Sequence, residues 1–213
     1  MNYRILGKTG FKVSEISLGT WQLGSKWGEP FDADKAWKTL EAACEQGINL
    51  FDTADIYQDG KKEKIYVVTK CGRKLNPHVA SGYNARNIRQ FIHDSLQNLQ
   101  REQLDLVLLH CPPSEVYQKQ EVFDELNRLK QEGLIAHYGV SVERISEALE
   151  ALKQDISAIE IIFNMFRLRR GRAVRPGTAE TGRNYNQSPA CQRITDREIY
   201  GEHFIRCSWP PLL

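Results

Sequence analysis

Short apolar runs recur along this chain, each stopping at a polar or small residue, with helical patterns between them. The runs are Glu15 to Trp21, Ile48 to Phe51, Ile65 to Thr69, Leu104 to Leu109, Ile135 to Val140 and Ile159 to Phe163. Near-continuous apolar runs of this length fit strands buried on both faces, as in parallel sheets. Asp32 caps an expected helix whose apolar face is Ala36, Trp37, Leu40, Ala43 and Cys44, closed by Gly47. Further helices are expected from Ala85 to Leu99 (apolar side Ile88, Ile92, Leu96 and Leu99), from Glu121 to Glu132, and near Ile145 to Lys153. Ahead of them, Tyr3 to Leu6 and Phe11 to Val13 flank a Gly-Lys-Thr-Gly turn and read as a hairpin.

Strands alternating with helices imply βαβ units and a parallel sheet, which both a doubly wound sheet and a (β/α)₈ barrel satisfy. No G-x-G-x-x-G follows the first strand, which disfavours a Rossmann dinucleotide fold. Reactive residue types at the ends of the second, third and fourth strands favour the barrel, where active residues gather from several strand ends. Six strands are legible rather than eight.

The charge balance excludes some partners. A net charge of +2 is too small to argue for nucleic acid or a membrane surface. Five cysteines, none in C-x-x-C spacing, argue against a disulfide framework and a zinc site and for reduced thiols in a cytoplasmic protein. No apolar run nears membrane-spanning length. Asp52, Asp55 and Asp59 lack the alternating spacing of a calcium loop, so no metal site is expected.

Asp52, Tyr57, Lys70 and His110 make chemical sense together. A tyrosine, with an ordinary pKa of about 10, is a poor proton donor at neutral pH. An ammonium beside it stabilises the phenolate, and a carboxylate holds the ammonium in place. A histidine nearby can orient a carbonyl oxygen by hydrogen bonding. Taken singly, Asp52 reads equally as an Asx turn, Lys70 as a solvated strand end and His110 as a turn residue before two prolines. Their occurrence at three successive strand ends is what points to chemistry.

At these residues the chain resembles the aldo/keto reductase family. The resemblance rests on LGTWQLG at 18–24, GINLFDTADIY at 47–57, VVTK at 67–70, LDLVLLHCP at 104–112, GVS at 139–141 and IIFNMFRLR at 161–169. It implies an eight-stranded α/β barrel and NADPH-dependent reduction of aldehydes or ketones. By the motif, Tyr57 is the proton donor, Lys70 its pKa-lowering partner, Asp52 the residue pairing Lys70, and His110 the carbonyl orienter. Gly19, Thr20, Trp21 and Asp52 would line the cofactor site, with Ser141 and Asn164 near the nicotinamide.

Two departures stand beside the resemblance. Only QDGKKEK separates Tyr57 from the third strand, where the family has a helix. A parallel crossover usually needs about ten residues or more, so an open or distorted wall is expected there. The motifs also stop near Arg169, which divides the chain into a partial barrel at 1–169 and a tail at 170–213. The tail lacks a helical or strand period and replaces lysine by arginine, the mark of an irregular or foreign segment. Codons can be chosen for it so that the neighbouring frame spells S-G-L-L-T-G-K, similar to a phosphate-site loop of the family. The expectation is therefore an out-of-frame tail on an incomplete (β/α)₈ barrel, with impaired activity. The alternative is a non-catalytic interaction protein that pairs with an intact, related reductase subunit. RNA binding by Arg169, Arg170, Arg172 and Arg175 is disfavoured because base-stacking aromatics are sparse there.

Overall fold

A computed structural model of the chain describes residues 1–20, 23, 32–53 and 65–161. An antiparallel hairpin, β1 (Tyr3–Ile5) and β2 (Lys12–Ser14), precedes six parallel strands. These are β3 (Leu18–Gly19), β4 (Leu50–Asp52), β5 (Tyr66–Cys71), β6 (Leu104–His110), β7 (Ile135–Val142) and β8 (Ala158–Ile161). They pair in sequence order, β3-β4-β5-β6-β7-β8. Every connection therefore steps one strand onward, the winding of a (β/α)₈ wall and not of a doubly wound sheet, whose order reverses. Among the described residues the result is a curled, incomplete barrel.

The helices are α1 (Ala33–Glu45), α2 (Ala85–Asn98), α3 (Gln120–Gln131) and α4 (Ile145–Ala151). Asp32 caps α1 by accepting the Lys35 N–H at 3.0 Å, and Asn84 caps α2 by accepting that of Asn87 at 3.0 Å. Ile88, Ile92 and Leu96 bury one side of α2, as their spacing requires. On α1 the buried positions are Ala36 and Ala43, while Trp37 is 48% exposed, contrary to its expected place on the apolar face. Ala36 and Ala43, seven residues apart, share the buried face of α1, and Trp37, one position round the helix from Ala36, is turned away.

Two clusters fill the structure, and strand periodicity assigns residues to them. Val107, Leu109, Tyr138, Val140 and Val142 face the helices, packed with Ile88, Ile92, Phe123, Leu126 and Leu129. Leu50, Val68, Leu106, Leu108 and Ala158 face the barrel interior with Leu6 and Val13 of the hairpin region. Phe11 stacks on Tyr66 at 4.3 Å between ring centroids, and the Lys8 N–H donates to Ser157 O at 3.0 Å. The hairpin thus closes the end of the barrel where the strands begin, and leaves their C-terminal ends for a site.

The wall between β4 and β5 is continuous, against the expectation of a gap. Leu50, Phe51 and Asp52 pair with Tyr66, Val67 and Val68. Backbone bonds extend the pairing at both ends, Tyr66 N–H to Asn49 O and Thr53 N–H to Val68 O, each 2.8 Å. The buried apolar side chains on both strands fix this register whatever the length of the connection. That connection, 54–64, and the expected tail at 170–213 lie outside the described residues.

Candidate active site

Side chains two apart on a strand share a face. Leu50, Val68, Leu108 and Ala158 point into the barrel, so Asp52, Lys70, His110 and Glu160 point the same way, one step nearer the strands' C-terminal ends. Ser141 follows Gly139 by the same rule. A Cβ on Gly139 would meet Ala158 O at 2.1 Å, so glycine is what lets β7 and β8 approach at this level. His110, Ser141 and Glu160 lie side by side in register across β6, β7 and β8. The sequence thus places an apolar floor and a polar layer directly above it.

Lys70 is the centre of that layer. Its Nζ is hydrogen-bonded to Asp52 Oδ1 and stands 3.1 Å from Glu160 Oε2. All three side chains are buried, at 7–8% exposure. An ammonium removed from water costs several kcal/mol unless opposite charge and hydrogen bonds replace its hydration, which the two carboxylates do here. Glu160 Oε1 accepts from the Ser141 hydroxyl at 3.4 Å. Thr20 ties the ends of β3 and β4 together, its N–H and hydroxyl both donating to Asp52 O, at 2.9 and 3.1 Å. Gly19 pairs with Asp52, and among the described residues a Cβ there would meet nothing within 4 Å.

Burial, reinforced by the positive charges of Lys70 and Arg73, lowers the His110 pKa to about 4. The imidazole is therefore neutral near pH 7 and keeps one N–H donor and one acceptor. Cys111 follows at φ 44°, its N–H donating to Ser141 O at 3.0 Å and its sulfur 3.6 Å from Ser141 Oγ. Burial pushes that thiol up, so it stays protonated and is no nucleophile.

Of the residues expected from the sequence, the structure brings Asp52 and Lys70 into contact. It sets His110 and Ser141 on the adjacent strands and Gly19 and Thr20 against Asp52. Tyr57, Trp21 and Asn164 lie outside the described residues. Glu160 was not anticipated. Its signal was legible, however: a single charge inside the apolar run Ala158 to Ile162, two residues after a core position.

This geometry joins a match to known proteins. The aldo/keto reductase family model matches residues 15–186, and the chain belongs to that family. It is 32% identical over 184 residues to the uncharacterized oxidoreductase YqkF of Bacillus subtilis, covering 78% of this chain and 57% of that protein. A protein of Schizosaccharomyces pombe named "putative voltage-gated potassium channel subunit beta" is 31% identical over 158 residues, covering 65% of this chain and 44% of its own length. The chain thus spans about half the length of these curated relatives. Among solved structures, the holo form of an aldo-keto reductase from Bacillus halodurans superposes with a TM-score of 0.65 at 30% identity, covering 76% of this chain and 58% of that one.

Proposed function

We propose that the chain carries the site of an NADPH-dependent reductase of small aldehydes or ketones. The observation that supports this best is Lys70, buried and ion-paired to Asp52 at the C-terminal end of the barrel strands, with neutral His110 on the neighbouring strand. A buried ammonium held in that way is suited to lower the pKa of a tyrosine, the role the family motif gives to Tyr57. Tyr57 then donates its phenolic proton to the carbonyl oxygen and recovers one from water. His110, being neutral, donates its N–H to the same oxygen and orients the carbonyl. Gly19, beside which no described residue would meet a Cβ, and the hydroxyl of Ser141 fit a nicotinamide, and Gly19, Thr20, Trp21, Asp52, Ser141 and Asn164 would hold it. NADPH, when bound, supplies the hydride to the carbonyl carbon. The lack of any C-x-x-C spacing among the cysteines fits a reducing, cytoplasmic setting for this chemistry.

Fluorescence titration of the purified chain with NADPH, then a panel of neutral carbonyl compounds, tests this reading. Saturable binding is expected, with slow turnover that Tyr57→Phe removes. A folded chain that does not bind NADPH, or one whose turnover survives Tyr57→Phe, would overturn it. A second reading, non-catalytic pairing with an intact related subunit, draws on the channel-subunit name of one relative. Co-purification with such a subunit, without turnover by this chain, would favour it.

A further inference from the structure

We infer that Glu160 is a positioning residue for the proposed reaction, the second anchor of Lys70, which holds the ammonium from across the barrel and tempers its charge. The inference rests on the reductase reading above. Lys70 stands on β5 and Glu160 on β8, with β6 and β7 between them, yet Nζ and Oε2 are 3.1 Å apart. The ammonium is therefore stretched between carboxylates on opposite sides of its own strand, Asp52 on β4 and Glu160 on β8. With one anchor it could swing toward the other side; with two, its position is fixed. Glu160 is itself held, through its other oxygen, by the Ser141 hydroxyl at 3.4 Å.

The charge consequence is as direct as the geometric one. Facing Glu160 and its ammonium among the described residues are Lys70 from β5, Asp52 from β4 beyond it, the neutral His110 from β6, and the protonated Cys111 thiol after β6. Among the described residues two carboxylates thus share this ammonium. A phenol approaching Lys70 meets a cation already largely compensated, so its pKa falls less than a lone lysine would achieve. Removing the Glu160 charge strips away one compensating anion and stabilises the phenolate further. At the separations of one side-chain layer, a unit charge is worth about one pH unit to a neighbouring titration.

The test needs no turnover. Absorbance of the tyrosinate band is followed against pH for the full chain and for Tyr57→Phe, and the difference isolates the ionisation of Tyr57. The same subtraction is made in Lys70→Met and Glu160→Gln backgrounds. The inference expects Lys70→Met to raise the Tyr57 midpoint and Glu160→Gln to lower it by about one pH unit. A midpoint raised by Lys70→Met but unmoved by Glu160→Gln overturns the role of Glu160 and leaves the reductase reading standing. A midpoint unmoved by Lys70→Met overturns both. Glu160→Asp keeps the charge but draws it back by one methylene. It serves where the glutamine variant fails to fold: an intermediate midpoint supports the inference, and one at or above the unsubstituted chain's overturns it.

Discussion

Lys70 Nζ lies 3.1 Å from Glu160 Oε2, two strands beyond its nearest neighbour in the sheet, while its other side is bonded to Asp52. One buried cation therefore ties β4, β5 and β8 together above the apolar floor of the barrel.

Removing that cation leaves two carboxylates facing each other out of water. Lys70→Met is expected to destabilise the fold by about 3–5 kcal/mol at pH 7, the usual cost of breaking a buried pair. Part of this loss should return at pH 5, as one of the two buried carboxylates takes a proton. Urea unfolding of the variant at the two pH values checks both the size and the sign.

His110 makes the fold pH-dependent in the opposite sense. Its folded pKa of about 4 lies below the ordinary value of 6.5, so the unfolded chain binds the proton more readily. The stability tied to its neutral form is whole above pH 6.5 and is withdrawn as pH falls toward 4. For this half-buried ring the change is about 2–3 kcal/mol. His110→Asn should lose that much less stability than the unsubstituted chain between pH 7 and pH 4, measured by denaturant unfolding.

Gly139 is the close-packing point between β7 and β8. Gly139→Ala drives a methyl into Ala158 O, where backbone on both sides must move. A loss of about 2–3 kcal/mol is expected, at the upper end for overpacking. Because Glu160 follows Ala158 by two residues on the displaced strand, the Glu160 contact to Lys70 should loosen as well. Thermal unfolding and the tyrosinate difference titration together register both effects.

Much of this was legible in the sequence. Strand positions followed from apolar runs, because parallel strands covered on both faces carry little else, and the pairing of Asp52 with Lys70 followed from the family motif. Trp37 was misplaced because helical spacing does not say which of two adjacent apolar residues packs, and here it is Ala36 that is buried. The continuous β4–β5 wall was missed because connection length was weighed above register, whereas buried side chains on both strands decide it. Glu160 went unread because strand parity was not followed across the last run. Applied there, the alternation that puts Lys70 above Val68 also puts Glu160 above Ala158.

The central claim is hydride transfer to a carbonyl at a site built around Lys70. Its most direct test is to incubate the full chain with NADPH carrying deuterium at the nicotinamide C4 and a neutral aldehyde, then analyse the alcohol by mass spectrometry. The account predicts one deuterium on the carbinol carbon, at a rate that Lys70→Met cuts by about a hundredfold or more, in the range for losing a tuned proton donor. No labelled alcohol from a folded chain, or equal labelling with Lys70→Met, would contradict it.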